Sequence, residues 1–496
     1  MTLLPTRSLL LFAICCFLLS SSLWGQTKNL QLNLPEVIVL AQKGAPDVLL
    51  AETRLVNSRW RYKFFEAGYK PQIILRSTLP SLDRSISAIT LPDGTDAFIK
   101  RALMTNSVGI SLSQPIQLTG GNIYASTGVR RIDIFKTTGQ DGNISYLSSP
   151  VLIGFNQPIF AFNQLKWDKR IEPLRYEEAS REYAEEMEGV AQEAARLFFD
   201  VLIAQLNVVA EEKNKSNADT LLKISEGRFS VGRIAETDLL QIELSARQAD
   251  AALAEAILSS QSSTEQLRNF LGITEAVNFD LEAPLDIPNF EIDLETALEQ
   301  ARKNRSDIIA FQRRRREAER DVAEAEAESS LSININGEFG LTQTASSFGD
   351  AYQNLLDQEM LMLNIEIPLA DWGKARSRRE IARSNQKLEQ MNLEQEQVNF
   401  EREVILKVQQ FDLVRRQVAL GSRTFEVAQK REDITRKRYL IGKIGVTELN
   451  LAIRELNEAR RSYYTALREF WLAHYDLRRL TLFDFQYNSS LFRALD

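Results

Sequence analysis

The sequence predicts a mainly helical chain with a smaller β portion, built as two tandem copies of one helix–strand–strand–helix unit. Three observations predict it. The stretch "GRFSVGRIAETDLL" at 227–240 returns as "KRYLIGKIGVTELN" at 437–450, 210 positions later. Each half changes hydrophobic periodicity twice, from helical spacing to strict alternation and back. Each half also carries an unbroken helical pattern of about 65 residues, a rod of roughly 95–100 Å. A repeat of this length is settled first, because it fixes how everything else is read.

Composition narrows the field. Of 496 residues 26% are charged, with a net charge of −7, which argues against a nucleic-acid surface. A single histidine, His474, and two cysteines, Cys15 and Cys16, leave little material for a metal site. His474 sits in "FWLAHYDL", where a packed or interfacial role is expected. No paired carboxylates, Ser/His/Asp set or phosphate-cradling glycine loop stands out, so neither an enzyme nor a cofactor is expected.

Residues 1–25 read as a secretory signal: Arg7, then the apolar "LLLFAICCFLL", then the small-residue approach "SSSLWG". Cleavage is expected near Gly25 rather than lipidation at Cys16, whose third preceding residue is Ala13. The mature chain would then lack cysteine. No later stretch has 18 consecutive apolar residues, so an exported chain of this kind is either soluble or crosses a membrane as strands.

The first copy spans 32–288 and the second 290–485, joined by "EAPLDIPNFE" and followed by a tail at 486–496. "LNLPEVIVLAQKGAPDVL" answers "IDLETALEQARKNRSDII" at an offset of 260, whereas Pro158 answers Pro368 at 210. The first copy therefore carries about 50 extra residues. Opening helices are predicted near 36–68 and 294–328. Alternation then takes over in "SVGISLSQPI", in "LSININGEFGL" and across 361–367, with Asp357 and Glu359 just before the last of these strands. The extra residues include "SVGISLSQPIQLTGGNIYASTGVRR", a further hairpin near 105–132 turning at Gly120–Gly121. Membrane-crossing strands and a soluble sandwich with one wet face fit this alternation equally well.

Long helices follow at about 160–226, with Pro173 near the start, and at about 374–437. Closing helices are predicted at about 237–270 and 447–480. "RRRRE" at 313–317 spreads over every face of its helix, which suits solvated or inter-helix ion pairs. The repeated stretch is then the turn between long and closing helices. Gly232 and Gly442 supply the positive φ that a helix terminus uses. Thr237 and Thr447 are expected to cap the next helix, with Asp238 and Glu448 in its first turn. Turn chemistry accounts less well for Arg228/Arg438, Arg233/Lys443 and the apolar pairs Val231/Ile441 and Ile234/Ile444, which suit docking to a partner.

With these tips, the "QPIF" and "IPLADWG" strand-to-helix junctions and "LRNFLGI", the sequence resembles the TolC-type outer-membrane efflux family (outer-membrane factors) over nearly the whole mature chain. The resemblance implies a homotrimer in the cell outer membrane, with one shared β-barrel and an α-helical tunnel across the periplasm. It implies partners, namely a periplasmic membrane-fusion adaptor protein and an inner-membrane pump of resistance-nodulation-division or ABC type. It implies a passive duct without catalysis, serving tripartite efflux or type I secretion alike. The docking residues would be Arg228, Val231, Gly232, Arg233, Thr237 and Asp238, with Arg438, Ile441, Gly442, Lys443, Thr447 and Glu448. Asp238 and Glu448 are candidates to constrict the tunnel mouth; one turn on stand Gln241 and Leu451, so a second acidic ring is not supplied. Family members commonly give four strands per chain and this one offers six, so either the barrel is wider or the added hairpin lies outside it. The competing reading is a periplasmic coiled-coil scaffold or adhesin without transport activity.

Overall fold

A computed structural model describes residues 28–90, 92–136 and 142–492; the expected signal segment, with Gly25 and Cys16, lies outside them. In chain order the elements are β1 (Lys28–Leu32), α1 (Leu34–Gly44), α2 (Pro46–Gly68), β2 (Gln72–Thr90), β3 (Asp96–Pro115), β4 (Asn122–Ile134) and β5 (Asn143–Ile159). There follow α3 (Gln164–Ser230), α4 (Glu236–Phe270), β6 (Val277–Leu281), α5 (Leu294–Asn304), α6 (Ser306–Glu328) and β7 (Ser332–Ala345). The chain closes with β8 (Leu356–Glu366), α7 (Lys374–Leu440), α8 (Val446–Thr481) and a short hairpin of β9 (Phe483–Asp484) and β10 (Ser489–Ser490). The order helix pair, strands, helix pair thus occurs twice, with four strands in the first half and two in the second. Both long helices have 67 residues.

The chain divides into two compact units. The first draws on the segments up to Leu55, Ala179–Ile308 and Val398 onward. Its core gathers stripes from several helices: Val37 and Ala41 of α1, Phe198 and Val201 of α3, Ala301 of α5, Val404 and Phe411 of α7, Leu467 and Phe470 of α8. Alanines on α1, α3 and α5 let backbones approach, and phenylalanines fill the remaining space, as close packing requires. A small parallel pair, β1 with β6, ties the start of the first copy to the end of its closing helix. Sequence reading missed this pair, because strands of five residues are too short for alternation to stand out.

Each predicted opening helix is in fact two. Ala45, with ψ 137°, is extended before Pro46, because proline disfavours helical backbone in the residue before it. The second break has no proline: Arg305 is extended at ψ 145°. There Glu185 Oε1 accepts the Ser306 N–H at 2.7 Å, and the Arg305 guanidinium lies 3.5 Å from the same carboxylate. A side chain from α3 therefore takes over a backbone group that the break sets free. Burial raises the Glu185 pKa, with Arg305 and Ser306 opposing.

The second unit draws on Val56–Glu178 and Ile309–Gln397. It holds one six-stranded antiparallel sheet in the order β2-β3-β4-β5-β7-β8. The added hairpin is β3 and β4, turning over 116–121, where Gly120 has φ 72°. Asp357 and Glu359, expected before the last strand, lie within β8. The arginine run makes inter-helix pairs: Arg313 Nη2 donates to Glu178 of α3 at 2.9 Å, and Arg314 reaches Glu389 and Glu396 of α7, each at 2.6 Å.

Candidate functional site

The two tips are built alike, and the local sequence says why. At the end of α3, the Gly232 N–H donates to the Phe229 carbonyl (2.8 Å) and the Arg233 N–H to the Arg228 carbonyl (2.9 Å). At the end of α7, Gly442 donates to Tyr439 (2.9 Å) and Lys443 to Arg438 (3.0 Å). This paired closure consumes the last free carbonyls of each helix and requires a left-handed residue, met by Gly232 at φ 68° and Gly442 at φ 73°. Arg228/Arg438 and Arg233/Lys443 flank that closure, where the negative end of the helix dipole favours cations. The basic pairs thus have a local stabilising role besides any contact to a partner.

Thr237 and Thr447 do not cap. The capping positions are Ala235 and Gly445, neither with a side-chain cap bond, and each threonine lies inside the first turn. In the second tip the cap amide is met from the other direction: Gly445 N–H donates to Glu448 Oε2 at 2.8 Å. Asp238 holds the equivalent position, one methylene shorter, and its own N–H donates to the Ala235 carbonyl at 3.1 Å. Thr447 instead lines a groove of about 420 Å³ with Asn450 and Arg454 of α8, Gln241 and Ile242 of α4, and Asn214 of α3.

The structure brings the tips together. The Arg228 guanidinium stands 5.8 Å from the ring centre of Tyr439, which is itself buried. Val231 and Ile441 are two-thirds exposed, at 66% and 67%. Asp238, Glu448 and Gln241 are exposed, and Leu451 is exposed beside them. Among the described residues no ion-pair partner is found for Arg233, Arg438 or Lys443. The result is a twin surface of apolar points, free cations and two carboxylates, with no group arranged for covalent chemistry.

A second surface is the sheet. The register strings Ile73, Leu112, Ala125, Ile153 and Phe339 into one row across five strands, all on one face, and the row ends at Glu359 on β8. The other face carries Ser113, Tyr124 and Glu338 in one row and Asn122, Asn156 and Asn336 in another. On that face Asn156 Nδ2 donates to Asn334 Oδ1 (3.1 Å) and to Asn336, and Tyr124 Oη donates to Glu338 Oε1 (2.5 Å). Phe160 and Trp372 are exposed at the strand-to-helix junctions, the latter at 99%, and Trp60 and Phe64 are exposed towards the end of α2. Bare aromatic side chains at the ends of an apolar sheet face are characteristic of a membrane–water boundary.

His474 belongs to neither surface. It is 4% exposed, with ring centres of Tyr475, Phe290 and Trp471 at 5.1, 5.7 and 5.7 Å. Burial, with Arg478 close by, pushes its pKa down to about 4.

Comparison with known proteins bears on these surfaces. The outer membrane efflux protein family matches at residues 125–273 and 297–481, well over half of the chain. No curated protein matches in sequence. Among solved structures, the fold is similar to that of the Campylobacter jejuni CmeC outer membrane channel, with TM-score 0.66 and 15% identity over 90% of this chain and 85% of that one. A membrane protein from Pseudomonas aeruginosa gives 0.64 and 14%, covering 90% and 93%. CusC, described through its transmembrane channel formation, gives 0.64 and 15%, covering 93% and 95%.

Proposed function

The chain belongs to the outer membrane efflux protein family, whose members are passive outer-membrane channels rather than enzymes, and from that premise we propose that it is the outer-membrane duct of a tripartite efflux or type I secretion system. It acts as a homotrimer after removal of its signal peptide near Gly25. Its tips, from Arg228 to Asp238 and from Arg438 to Glu448, dock a periplasmic membrane-fusion adaptor, which couples the duct to an inner-membrane pump. Asp238 and Glu448 ring the tunnel mouth.

The observation that carries this reading is the sheet: from β2 to β7 the row through Ile73 and Phe339 is apolar on one face while the neighbouring rows through Ser113 and Asn156 are polar on the other, and β2 and β8 are left as open edges. Lipid forbids open edges, because every backbone N–H and C=O must be satisfied within the protein. Six strands are too few to close alone, since about eight form the smallest membrane barrels. Pooling strands from several copies removes the edges. Two like tips per chain then give a trimer six near-equivalent contact points, which suits a symmetric partner.

Envelope fractionation followed by native mass of the detergent-extracted protein tests this reading. The expected result is an outer-membrane species of about three times the 56.4 kDa chain, less its signal segments. A monomer released with the soluble periplasmic fraction would overturn it.

A further inference from the structure

We infer that the added hairpin, β3 and β4, is part of the barrel wall, so that three copies close an eighteen-stranded barrel with six strands from each chain. This rests on the trimeric duct proposed above and departs from the four strands per chain that the resemblance implies.

Hydrogen bonding is the first ground. Were the hairpin outside the wall, β2 would have to lie beside β5. Instead β2 pairs with β3 from Gln72↔Ser113 to Thr90↔Asp96, and β5 pairs with β4 from Asn122↔Asn156 to Ile134↔Asn143. Removing the hairpin would strip both strands of these partners.

Facing is the second ground. The inserted strands keep the alternation of their neighbours, with Leu112 and Ala125 in the apolar row and Ser113 and Tyr124 in the polar one. A one-residue slip would reverse every side chain, so a hairpin that lay elsewhere would have no reason to hold this register.

A built contact is the third. Tyr124 of β4 crosses β5 to donate to Glu338 of β7. It crosses at Gly154, where a Cβ would stand 2.4 Å from the tyrosine ring. Glycine at that point leaves the polar face open for a tyrosine that binds inserted and flanking strands together.

The strand number also suits closure. With six antiparallel strands the first and last run in opposite directions, so β8 of one copy meets β2 of the next in antiparallel sense. Diameter grows roughly linearly with strand number, so the wall would be about one and a half times as wide as with four strands per chain. Past Leu103↔Ile134, β2 and β3 continue as a two-stranded ribbon from Arg84↔Ala102 to Thr90↔Asp96.

The test is a cryo-electron microscopy reconstruction of the full chain extracted from outer membranes. A three-fold barrel of eighteen strands is the expected result. A three-fold barrel of twelve strands, with β3 and β4 outside it, would overturn this inference while leaving the duct intact; a species without three-fold symmetry would overturn the duct reading itself. A cysteine pair gives an independent measurement. Ala125→Cys with Ile153→Cys should form an intrachain disulfide, whereas Leu75→Cys with Ile153→Cys should not, and the reverse pattern would place β2 beside β5.

Discussion

At the residue scale, the clearest physical consequence belongs to His474. Its imidazole is held neutral by the rings of Phe290, Trp471 and Tyr475, with Arg478 adding unfavourable positive charge. Arg478 is itself engaged by Glu188 at 2.8 Å and Asp484 at 2.6 Å, so it is fixed where it opposes protonation. The folded pKa of about 4 lies below the ordinary 6.5. The unfolded chain therefore binds the extra proton between those values, and stability must fall as pH drops through that window. The full span corresponds to a loss on the order of 3 kcal/mol. The apparent melting temperature of the detergent-extracted protein should decline between pH 6.5 and 4, and His474→Phe should flatten that decline. An unchanged slope in the variant would assign the acid sensitivity to other groups. The packed role of this histidine was legible because its neighbours in sequence are aromatic. The part played by Arg478 and Asp484 was not, since it depends on how the chain turns after α8.

At the element scale, much of the molecule was legible and the exceptions share a cause. The long helices fall within four residues of their predicted bounds, because a 3.6-residue pattern sustained for that length has no competing interpretation. The break at Arg305 was not visible, since the carboxylate that stabilises it comes from Glu185 on another helix. The tip turns were legible in their glycines and misread in their caps. A threonine before an acid suggests a cap, but the chain leaves its turn two residues earlier, at Ala235 and Gly445. The turns themselves yield a prediction. A Cβ at Gly442 would meet nothing within 4 Å, so substitution there costs backbone strain and no collision. For a left-handed non-glycine residue that strain is roughly 1–2 kcal/mol, too little to unfold helices of this length. Gly442→Val should leave the amount of outer-membrane trimer unchanged and lower export, and Gly442→Asn, which tolerates this conformation, should restore most of it. Normal export by the valine variant would mean that tip geometry does not set docking.

At the scale of the whole molecule, the sheet's two bare edges are the strongest statement of incompleteness in the chain. Each unpaired backbone group facing lipid costs several kcal/mol, so edges as long as β2 and β8 cannot persist in a membrane. Another sheet edge must cover them, and an antiparallel match is on offer from a second copy. β8 has 11 residues against 19 in β2, so in the proposed barrel β8 of a second copy would reach only the part of β2 nearest the strand's start and leave the ribbon beyond it free. Pro80 lies where β2 shifts register against β3 between Thr78 and Ser81, an irregularity of the kind at which a strand tolerates a residue without a donor. Closure can be tested directly, because the only natural cysteines, Cys15 and Cys16, fall in the expected signal segment. Ile365→Cys on β8 is combined in turn with Ile73→Cys, Leu75→Cys and Ser77→Cys on β2, all on the apolar face. One of the three pairings should place the two Cβ atoms about 4 Å apart and give disulfide-linked dimers and trimers on mild oxidation. If none of them links while the unlinked trimer survives extraction, the copies associate through their helices alone, and the edges must be covered by something other than this chain.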